Sequence, residues 1–270
     1  MDLNYFFNLG DKQSKKLWDR LIELKLVKEG QQYTLDETKK ILKNPKIFSE
    51  LHEATKQDLK YSPLRRIPRF IIEYIDSEFN KILKPIHYKI AGSYLRGKSS
   101  SGDIDMVLDI DSVLKQVKIS NNDLDVTKKC WNFIQKKINT KSKIIKLMKP
   151  FAQGPDKIGV LIKVNIRKII QKNPKFIKDI DIKCTYVYVK MDIFISKKDE
   201  FVFALLFATG SGFFNIRMRA VAKRKGYLLN NHGLFKKNNG NILEKLPINT
   251  EKAIFEILNI SYKEPKDRIK

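Results

Sequence analysis

A short segment beginning at Gly92 combines the residue types that phosphate and metal chemistry require: GSYLRGKSSSGDID, residues 92–105. Asp103 and Asp105 are two positions apart, so both side chains point to one face of a strand. Two adjacent carboxylates repel each other and resist burial unless a cation neutralises them. A hard divalent cation with oxygen ligands, Mg²⁺ for preference, meets that requirement. The pattern predicts a metal site here, although a lone Asp-x-Asp pair is also typical of a solvated strand edge.

The glycines and hydroxyl residues upstream of this pair indicate what the cation acts on. Glycine and serine let backbone N–H groups approach phosphate closely. Ser93 and Arg96 can hold a terminal phosphate through a hydroxyl and a guanidinium. Asp109 and Asp111 lie at the far end of the same predicted strand and form a rival pair, but no Gly-Ser segment precedes them.

A third carboxylate is expected from a second strand. Asp192 lies in VYVKMDIFIS with apolar residues on both sides, and a charge there is costly unless it has a partner or a function. Asp181 is the alternative, in a polar stretch at the start of that strand. Three carboxylates would bind two metal ions, which clamp the attacking and leaving oxygens of an in-line phosphoryl displacement.

The elements that must position these residues follow from the hydrophobic periodicity. Their order is a helical N-terminal part, a mixed α/β middle and a mostly helical C-terminal part, which predicts an α+β fold. The predicted elements are helices over most of residues 1–60 with a turn at 8–11, a helix at 70–84, strands at 87–92 and 104–111, a helix at 123–149, strands at 158–166 and 183–196, helices from 199 to about 225, an irregular stretch, and a last helix near 250–259.

The charge balance points to a polyanionic partner. The 270 residues include 54 Lys and Arg against 30 Asp and Glu, a net charge of +24. Nucleic acid explains such an excess better than solubility does, although the Lys, Asn and Ile bias is also typical of an AT-rich genome. Cys130 and Cys184 lack metal-ligand spacing and indicate free thiols in a reducing compartment. No signal peptide and no apolar run of ~18 residues is present, so no membrane association is expected.

Four ordered segments resemble family X, that is, DNA polymerase beta and its relatives in the nucleotidyltransferase superfamily. The resemblance implies a nucleotidyltransferase palm, a mixed sheet with helices, at residues 66–198. It would be flanked by an N-terminal helical helix-hairpin-helix subdomain at 1–65 and a C-terminal mostly helical subdomain at 199–270. The matching segments are RRIPR at 65–69, GSYLRGKSSSGDID at 92–105, LLFATGSGFFNIRMRAVAKRKGYLLN at 205–230 and EKAIFEILNISYKEPKDR at 251–268.

The resemblance also implies roles for matched positions. The catalytic residues and ligands of two Mg²⁺ ions, for which Mn²⁺ can substitute, would be Asp103, Asp105 and Asp192. Asp192 would accept the proton of the primer hydroxyl. The nucleotide-binding residues would be Ser93, Arg96, Gly102, Arg66, Phe207, Ala208, Gly210 and Asn215. The residues that contact the template or the DNA backbone would be Arg219, Gly10 and Lys12.

Departures from the family pattern predict where this chain differs. Ala208 stands where the family has the Phe of a Tyr-Phe pair, which predicts weaker discrimination against ribonucleotides. Gly212 replaces an Asp that contacts the incoming base, and Asn8 replaces a Gly of the hairpin, which puts cation binding there in doubt. Because the chain begins at that hairpin, no N-terminal lyase domain and no deoxyribose-phosphate lyase activity are expected.

Other histidines and aromatic residues are predicted to have structural roles. His52, His87 and His232 are expected to be structural or surface residues, Tyr186 and Tyr188 ordinary strand residues, and Phe201, Phe203 and Phe213 core residues.

The sequence thus predicts a monomeric DNA-directed DNA polymerase that fills short gaps in DNA repair, as in base excision repair. Its partners would be gapped or primed double-stranded DNA and dNTPs. It would act inside the cell, in the nucleus or cytoplasm, or in the host cytoplasm if a large DNA virus encodes it. Two alternatives stay open: a template-independent nucleotidyltransferase of the terminal-transferase or polyadenylating kind, and a DNA-binding protein whose catalytic site has decayed.

Overall fold

The computed structural model describes residues 11–117, 126–172, 174, 184–238 and 241–268. The chain divides into two compact units, Met1–Pro63 and Leu64–Lys270. Among the helices of the described residues, none is long and apolar enough to span a bilayer.

The first unit is helical where the structure describes it. Leu21, Leu42 and Ile47 are fully buried in its core. The second helix begins with a capping box: the Glu37 amide donates to the Thr34 hydroxyl, and the Glu37 carboxylate accepts from the Thr34 amide, which satisfies two amides at the helix start. The helices are α1 (Asp11–Glu23), α2 (Leu35–Leu42), α3 (Pro45–Phe48) and α4 (Glu53–Tyr61).

The second unit combines a central sheet, helices and a small C-terminal sheet. Its helices are α5 (Arg69–Leu83), α6 (Gly92–Leu95), α7 (Ile110–Val117), α8 (Val126–Lys141), α9 (Ile166–Lys172), α10 (Phe201–Thr209), α11 (Gly212–Arg224) and α12 (Glu251–Ile257). Its strands are β1 (Ile67–Pro68), β2 (Tyr88–Ile90), β3 (Ser100–Ser101), β4 (Ile104–Asp109), β5 (Ile145–Leu147), β6 (Ala152–Gln153), β7 (Lys157–Asn165), β8 (Tyr186–Ser196), β9 (Tyr227–Leu229), β10 (Leu234–Asn238) and β11 (Asn241–Lys245).

The central sheet has six strands in the order β2-β4-β8-β7-β5, with β6 also pairing with β7. The β4–β8 pair is parallel, whereas β2–β4 and β7–β8 are antiparallel. The parallel register places Asp105 opposite Asp192. The sheet therefore aligns two of the carboxylates that the sequence singles out, although they come from distant parts of the chain.

The alternation of side chains along β4 and β8 assigns the two faces of the sheet. Met106 and Ile193 point into the main core, which α5 and α8 cover. Val107 points the other way and packs with Ala204 of α10. Asp105 shares the face of Val107, so the carboxylates lie on the face that is not covered by the main helical core.

The strand predicted at 104–111 is too long, because β4 ends at Asp109 and α7 begins at Ile110. Asp109 is buried, and its carboxylate accepts the amides of Asp111 and Ser112, at 3.0 and 3.3 Å. It therefore caps α7. Asp111 accepts the amide of Lys198 at 2.8 Å. The rival carboxylates, Asp109 and Asp111, thus both accept hydrogen bonds from backbone amides.

The predicted helix at 123–149 is also too long. Residues 123–125 lie outside the described residues, α8 ends at Lys141, and β5 follows. The Ser142 hydroxyl accepts the amides of Ile144 and Ile145, both at 3.1 Å, and thus turns the chain out of the helix. The side chain of Asn139 then donates a hydrogen bond to the Leu147 carbonyl and accepts one from the Leu147 amide.

The stretch predicted to be irregular after residue 225 contains a three-stranded antiparallel sheet in the order β11-β10-β9. These strands are only three to five residues long, so their local pattern is weak and their pairing depends on neighbouring strands. Leu229 and Leu234 pack with Phe203 and Met218 in the C-terminal core.

Candidate active site

Three carboxylates converge on the face of the sheet away from the main core. Asp105 comes from β4, Asp192 from β8, and Asp103 immediately precedes β4. Ligand oxygens of the three residues lie within 4.8 Å of one another. The register opposes Asp105 to Asp192, and the turn before β4 brings Asp103 alongside. The structure therefore groups the three acids that were predicted as metal ligands.

Gly92 makes room for this cluster. It begins the one-turn helix α6, its φ is +60°, and a Cβ atom there would lie 2.0 Å from Oδ2 of Asp105 and 2.9 Å from its Cγ. Any side chain would therefore overlap the carboxylate. The Ala91 amide also donates to the Asp105 carbonyl at 2.7 Å, which fixes the loop against β4.

Burial, together with the charges of neighbouring acids, raises the pKa values of two acids of the cluster. Burial, then the neighbouring charges of Asp103 and Asp192, raise the pKa of Asp105 to about 7. Burial, then the charge of Asp192, raise the pKa of Asp103. Lys157 opposes both shifts. Burial and mutual repulsion thus both disfavour the charged form of these acids, and additional positive charge opposes that effect.

The cluster fits a hard divalent cation. Its donors are all carboxylate oxygens, and Mg²⁺, Mn²⁺ and Ca²⁺ favour such ligands over zinc-type nitrogen and sulfur sets. Gly92 leaves the Asp105 carboxylate free of steric contact from α6. Asp103, Asp105 and Asp192 are the residues that could hold such an ion.

The loop between α6 and β3 is held rigidly beside the carboxylates. Ser93 donates its hydroxyl to that of Ser101 at 2.8 Å. Arg66 donates to the Ser100 carbonyl at 2.8 Å and to the Ser100 hydroxyl at 2.9 Å. Arg69 bonds the carbonyl of Tyr94 at 2.9 Å. Arg66, just before α5, and Arg69, its first residue, therefore shape the predicted phosphate loop, and Arg66 acts on its backbone.

Arg96 connects this loop to the C-terminal helices. Its guanidinium donates to the carbonyl of Thr209, the last residue of α10. Gly210 follows with φ +62°, and a Cβ there would lie 3.4 Å from Arg96 Nη1. A Cβ at this position would thus only touch the arginine, and the positive φ is the stronger reason for glycine there. The Gly210–Ser211 peptide bond is cis.

Asn215 and Arg219 lie on successive turns of α11. Asn215 donates its side-chain amide to the carbonyl of Phe207 at 2.7 Å. The Arg219 guanidinium lies 5.9 Å from the Phe207 ring, and its Nε donates to the Asn215 carbonyl at 3.4 Å. The ring of Phe207 in turn meets Phe194 of β8 edge to face, with centroids 6.1 Å apart. These contacts join the predicted base-contacting residues to the strand that carries Asp192.

A buried arginine anchors the start of α11. Arg268 is completely buried and forms an ion pair with Glu251. Its guanidinium lies 5.3 Å from the ring of Phe214, and its carbonyl accepts the Ser211 amide at 3.2 Å. The segment around Arg268 therefore helps to orient the helix that carries Asn215.

The other predicted site residues are placed less tightly. Gly102 is exposed, and a Cβ there would meet no atom within 4 Å. Ala208 is partly buried and packs against the small cluster of Ala91, Val107 and Ala204. Lys12 lies in α1 of the first unit. Gly10 and the other residues of the predicted hairpin turn up to position 10, together with Asp181, lie outside the described residues.

Two findings differ from what the sequence indicated. Phe213 was expected in the core but is 57% exposed, because the adjacent Phe214 occupies the buried face of α11. Lys157 was not singled out, yet its Nζ lies 2.7 Å from Oδ2 of Asp192. No local signal marks it, since the contact depends on the antiparallel register of β7 and β8.

The raised pKa of Asp105 predicts how stability depends on pH. In EDTA, the folded protein holds a proton up to about pH 7, whereas the unfolded carboxyl loses it near its ordinary value of 3.8. The contribution of Asp105 to stability therefore falls as the pH rises through this window, by up to roughly 4 kcal/mol. Chemical denaturation at pH 5 and pH 8 measures the difference. Asp105→Asn should remove much of it, and an unchanged difference in that variant would contradict the assignment.

Comparison with known proteins gives two matches to family models. Residues 66–185 match the family model of the DNA polymerase beta palm, and residues 204–269 match that of the DNA polymerase beta thumb. The first match contains Asp103 and Asp105, and the second contains Asn215 and Arg219.

Individual relatives are similar over shorter stretches. DNA polymerase lambda of Rattus norvegicus is 40% identical over 86 residues, which is 29% of this chain and 15% of the rat protein. Repair DNA polymerase X of African swine fever virus (isolate Tick/South Africa/Pretoriuskop Pr4/1996) is 39% identical over 80 residues, 30% of this chain and 44% of the viral protein. The matched stretch therefore spans less than half the length of either relative.

Proposed function

We propose that this chain, which belongs to the family X DNA polymerases, is a DNA-directed DNA polymerase that fills short gaps during DNA repair. The observation that carries the proposal is the grouping of Asp103, Asp105 and Asp192 within 4.8 Å, beside the Gly92 loop. The relatives' names, DNA polymerase lambda and repair DNA polymerase X, support the same reaction. The substrates would be dNTPs and gapped or primed double-stranded DNA.

The three carboxylates would hold two Mg²⁺ ions, which supply Lewis-acid stabilisation of the attacking and leaving oxygens when bound. Asp192 would accept the proton of the primer 3′-hydroxyl as the oxygen attacks the α-phosphate. The bond between the α-phosphate and the β-phosphate breaks, and pyrophosphate leaves.

The residues around the carboxylates would bind and orient the nucleotide. Ser93, Arg96 and Gly102 would hold the triphosphate, and Arg66 would keep their loop in shape. The incoming sugar would lie against α10 at Phe207, Ala208 and Gly210. Release of the Asn215 amide from the Phe207 carbonyl would let it reach the minor-groove edge of the base. Arg219 would contact the template strand.

The subdomain assignment follows from these roles. Residues 1–65 would hold the DNA backbone, with Gly10 and Lys12 among the contacts. Residues 66–198 would form the catalytic palm, and residues 199–270 would bind the nascent base pair. The net charge of +24 favours such a polyanionic partner. We further propose that the enzyme is a monomer that works inside the cell.

An incorporation assay tests the function. Purified protein, a one-nucleotide gap, Mg²⁺ and each dNTP separately should extend the primer by the complementary nucleotide. The matched control is Asp105→Asn. Absence of incorporation by the wild-type protein would refute the proposal. Incorporation that ignores the template base would instead indicate a template-independent transferase.

Ribonucleotide discrimination provides a separate prediction. Because Ala208 removes one of the two aromatic rings of the family's pair beside the sugar, Ala208→Phe should raise the preference for dATP over rATP by roughly tenfold. Steady-state kcat/KM for the two nucleotides measures the ratio. Retained dATP incorporation is the control, since Ala208 packs against the cluster of Ala91, Val107 and Ala204 and a disturbed core would lower both rates. Equal ratios in the two proteins would refute the role of Ala208.

A further inference from the structure

Lys157 is the first residue of β7 and reaches the carboxylate cluster from the neighbouring strand. Its Nζ lies 2.7 Å from Oδ2 of Asp192 and 5.2 Å from the ring centroid of Phe194. The register sets Lys157 opposite Phe194 and Gly159 opposite Asp192. Half of the lysine side chain is exposed, against 22% of the Asp192 side chain. The ammonium group therefore reaches into the cluster from solvent.

The position of this ammonium group gives it two opposing effects. It stabilises three mutually repelling carboxylates, and it partly offsets the rise in the pKa values of Asp103 and Asp105. It also occupies one oxygen of Asp192, which a divalent cation bound by the three acids would need. Two cations cannot use the same lone pairs at full strength, and their charges repel each other.

The side chain of lysine suits such an exchange. Its compact charge sits on a flexible four-carbon stem, so it can leave Asp192 by rotating outward without moving β7. In the bound position the ammonium group also lies over the Phe194 ring. An arginine at this site would bind the carboxylate through a planar fork and would release it less readily.

We propose that Lys157 is an internal counter-ion of the carboxylate cluster: it stabilises the metal-free protein and competes with divalent cations for Asp192. It thereby sets the cation concentration at which the site fills. The metal part of this inference rests on the proposed function, because that function requires the three acids to bind a divalent cation. A residue that merely positions Asp192 would have the opposite effect on metal affinity.

Direct binding of Mn²⁺, followed by the loss of its free-ion electron paramagnetic resonance signal, tests the competition without catalysis. Lys157→Met keeps the stem and removes the charge, so it should bind Mn²⁺ roughly three- to tenfold more tightly than wild type, a modest factor because the lysine is half exposed. Lys157→Gln should behave likewise, and Lys157→Arg should not tighten binding. Lys163→Met is the matched control, because Lys163 lies on the same strand but over Tyr186.

Thermal unfolding supplies the second measurement. In EDTA, both neutral variants should unfold at a lower temperature than wild type, and saturating Mn²⁺ should remove the difference. Unchanged or weaker Mn²⁺ binding in both neutral variants would overturn the inference. Failure of the wild-type protein to bind Mn²⁺ at all would instead count against the proposed function, so the two failures are distinguishable.

Discussion

Asp192→Ala is expected to lower single-turnover nucleotide incorporation by at least about a thousandfold, because it removes a ligand and the proposed proton acceptor together. Binding of gapped DNA should stay close to wild type, since the change removes negative charge and disturbs no core contact. Rapid-quench kinetics and fluorescence anisotropy measure the two quantities.

The control for this variant is Asp199→Ala, which removes a carboxylate just beyond the end of β8. Asp199 pairs with Lys245 and is far more exposed than Asp192. Its loss should leave incorporation nearly unchanged. Undiminished activity in Asp192→Ala would show that another acid completes the site, and Asp181, the alternative from the sequence, would be the next to replace.

Gly92→Ala is expected to be nearly as damaging, although it adds only one methyl group. The new Cβ would lie 2.0 Å from Asp105 Oδ2, so the carboxylate must move away from the other two acids. We expect incorporation to fall by more than about a hundredfold. Mn²⁺ affinity, measured in the absence of DNA, should fall in parallel.

Gly97→Ala separates this effect from backbone strain. Gly97 has a φ of +79°, like the positive φ of Gly92, but a Cβ there meets nothing within 4 Å. Both variants should lose about 1 kcal/mol of stability from the left-handed backbone. Only Gly92→Ala should lose activity and Mn²⁺ binding. Equal activity in the two variants would mean that the cluster adapts to the added methyl group.

The acids of the site were predictable because their signal is local. Asp105 and Asp192 each interrupt an apolar strand, and such a charge is conspicuous in sequence. Their contact with each other required the parallel β4–β8 register, which no local pattern determines. The same limit applies to Lys157, whose contact with Asp192 is set by the β7–β8 pairing. The roles of these residues stay predictions until the variants are measured.

Elsewhere, tertiary context overrode the local pattern. Phe213 and Phe214 are adjacent, and only the packing of α11 decides which one is buried. Arg268 would be expected at the surface as a charged residue, yet it is completely buried beside three aromatic rings. The three short strands after α11 have no clear alternation of apolar and polar residues. They pair with one another, and that pairing is not visible in any one segment.

The parallel pairing of β4 with β8 has a consequence for how the site forms. Almost a third of the chain separates Asp105 from Asp192, so closing this loop costs entropy before the pair is stabilised. Parallel, non-local pairing is a slow type of contact to form. We therefore expect partly folded forms to lack the assembled acids. Recovery of Mn²⁺ binding after dilution from denaturant should follow the completion of the sheet and lag behind the return of helical signal.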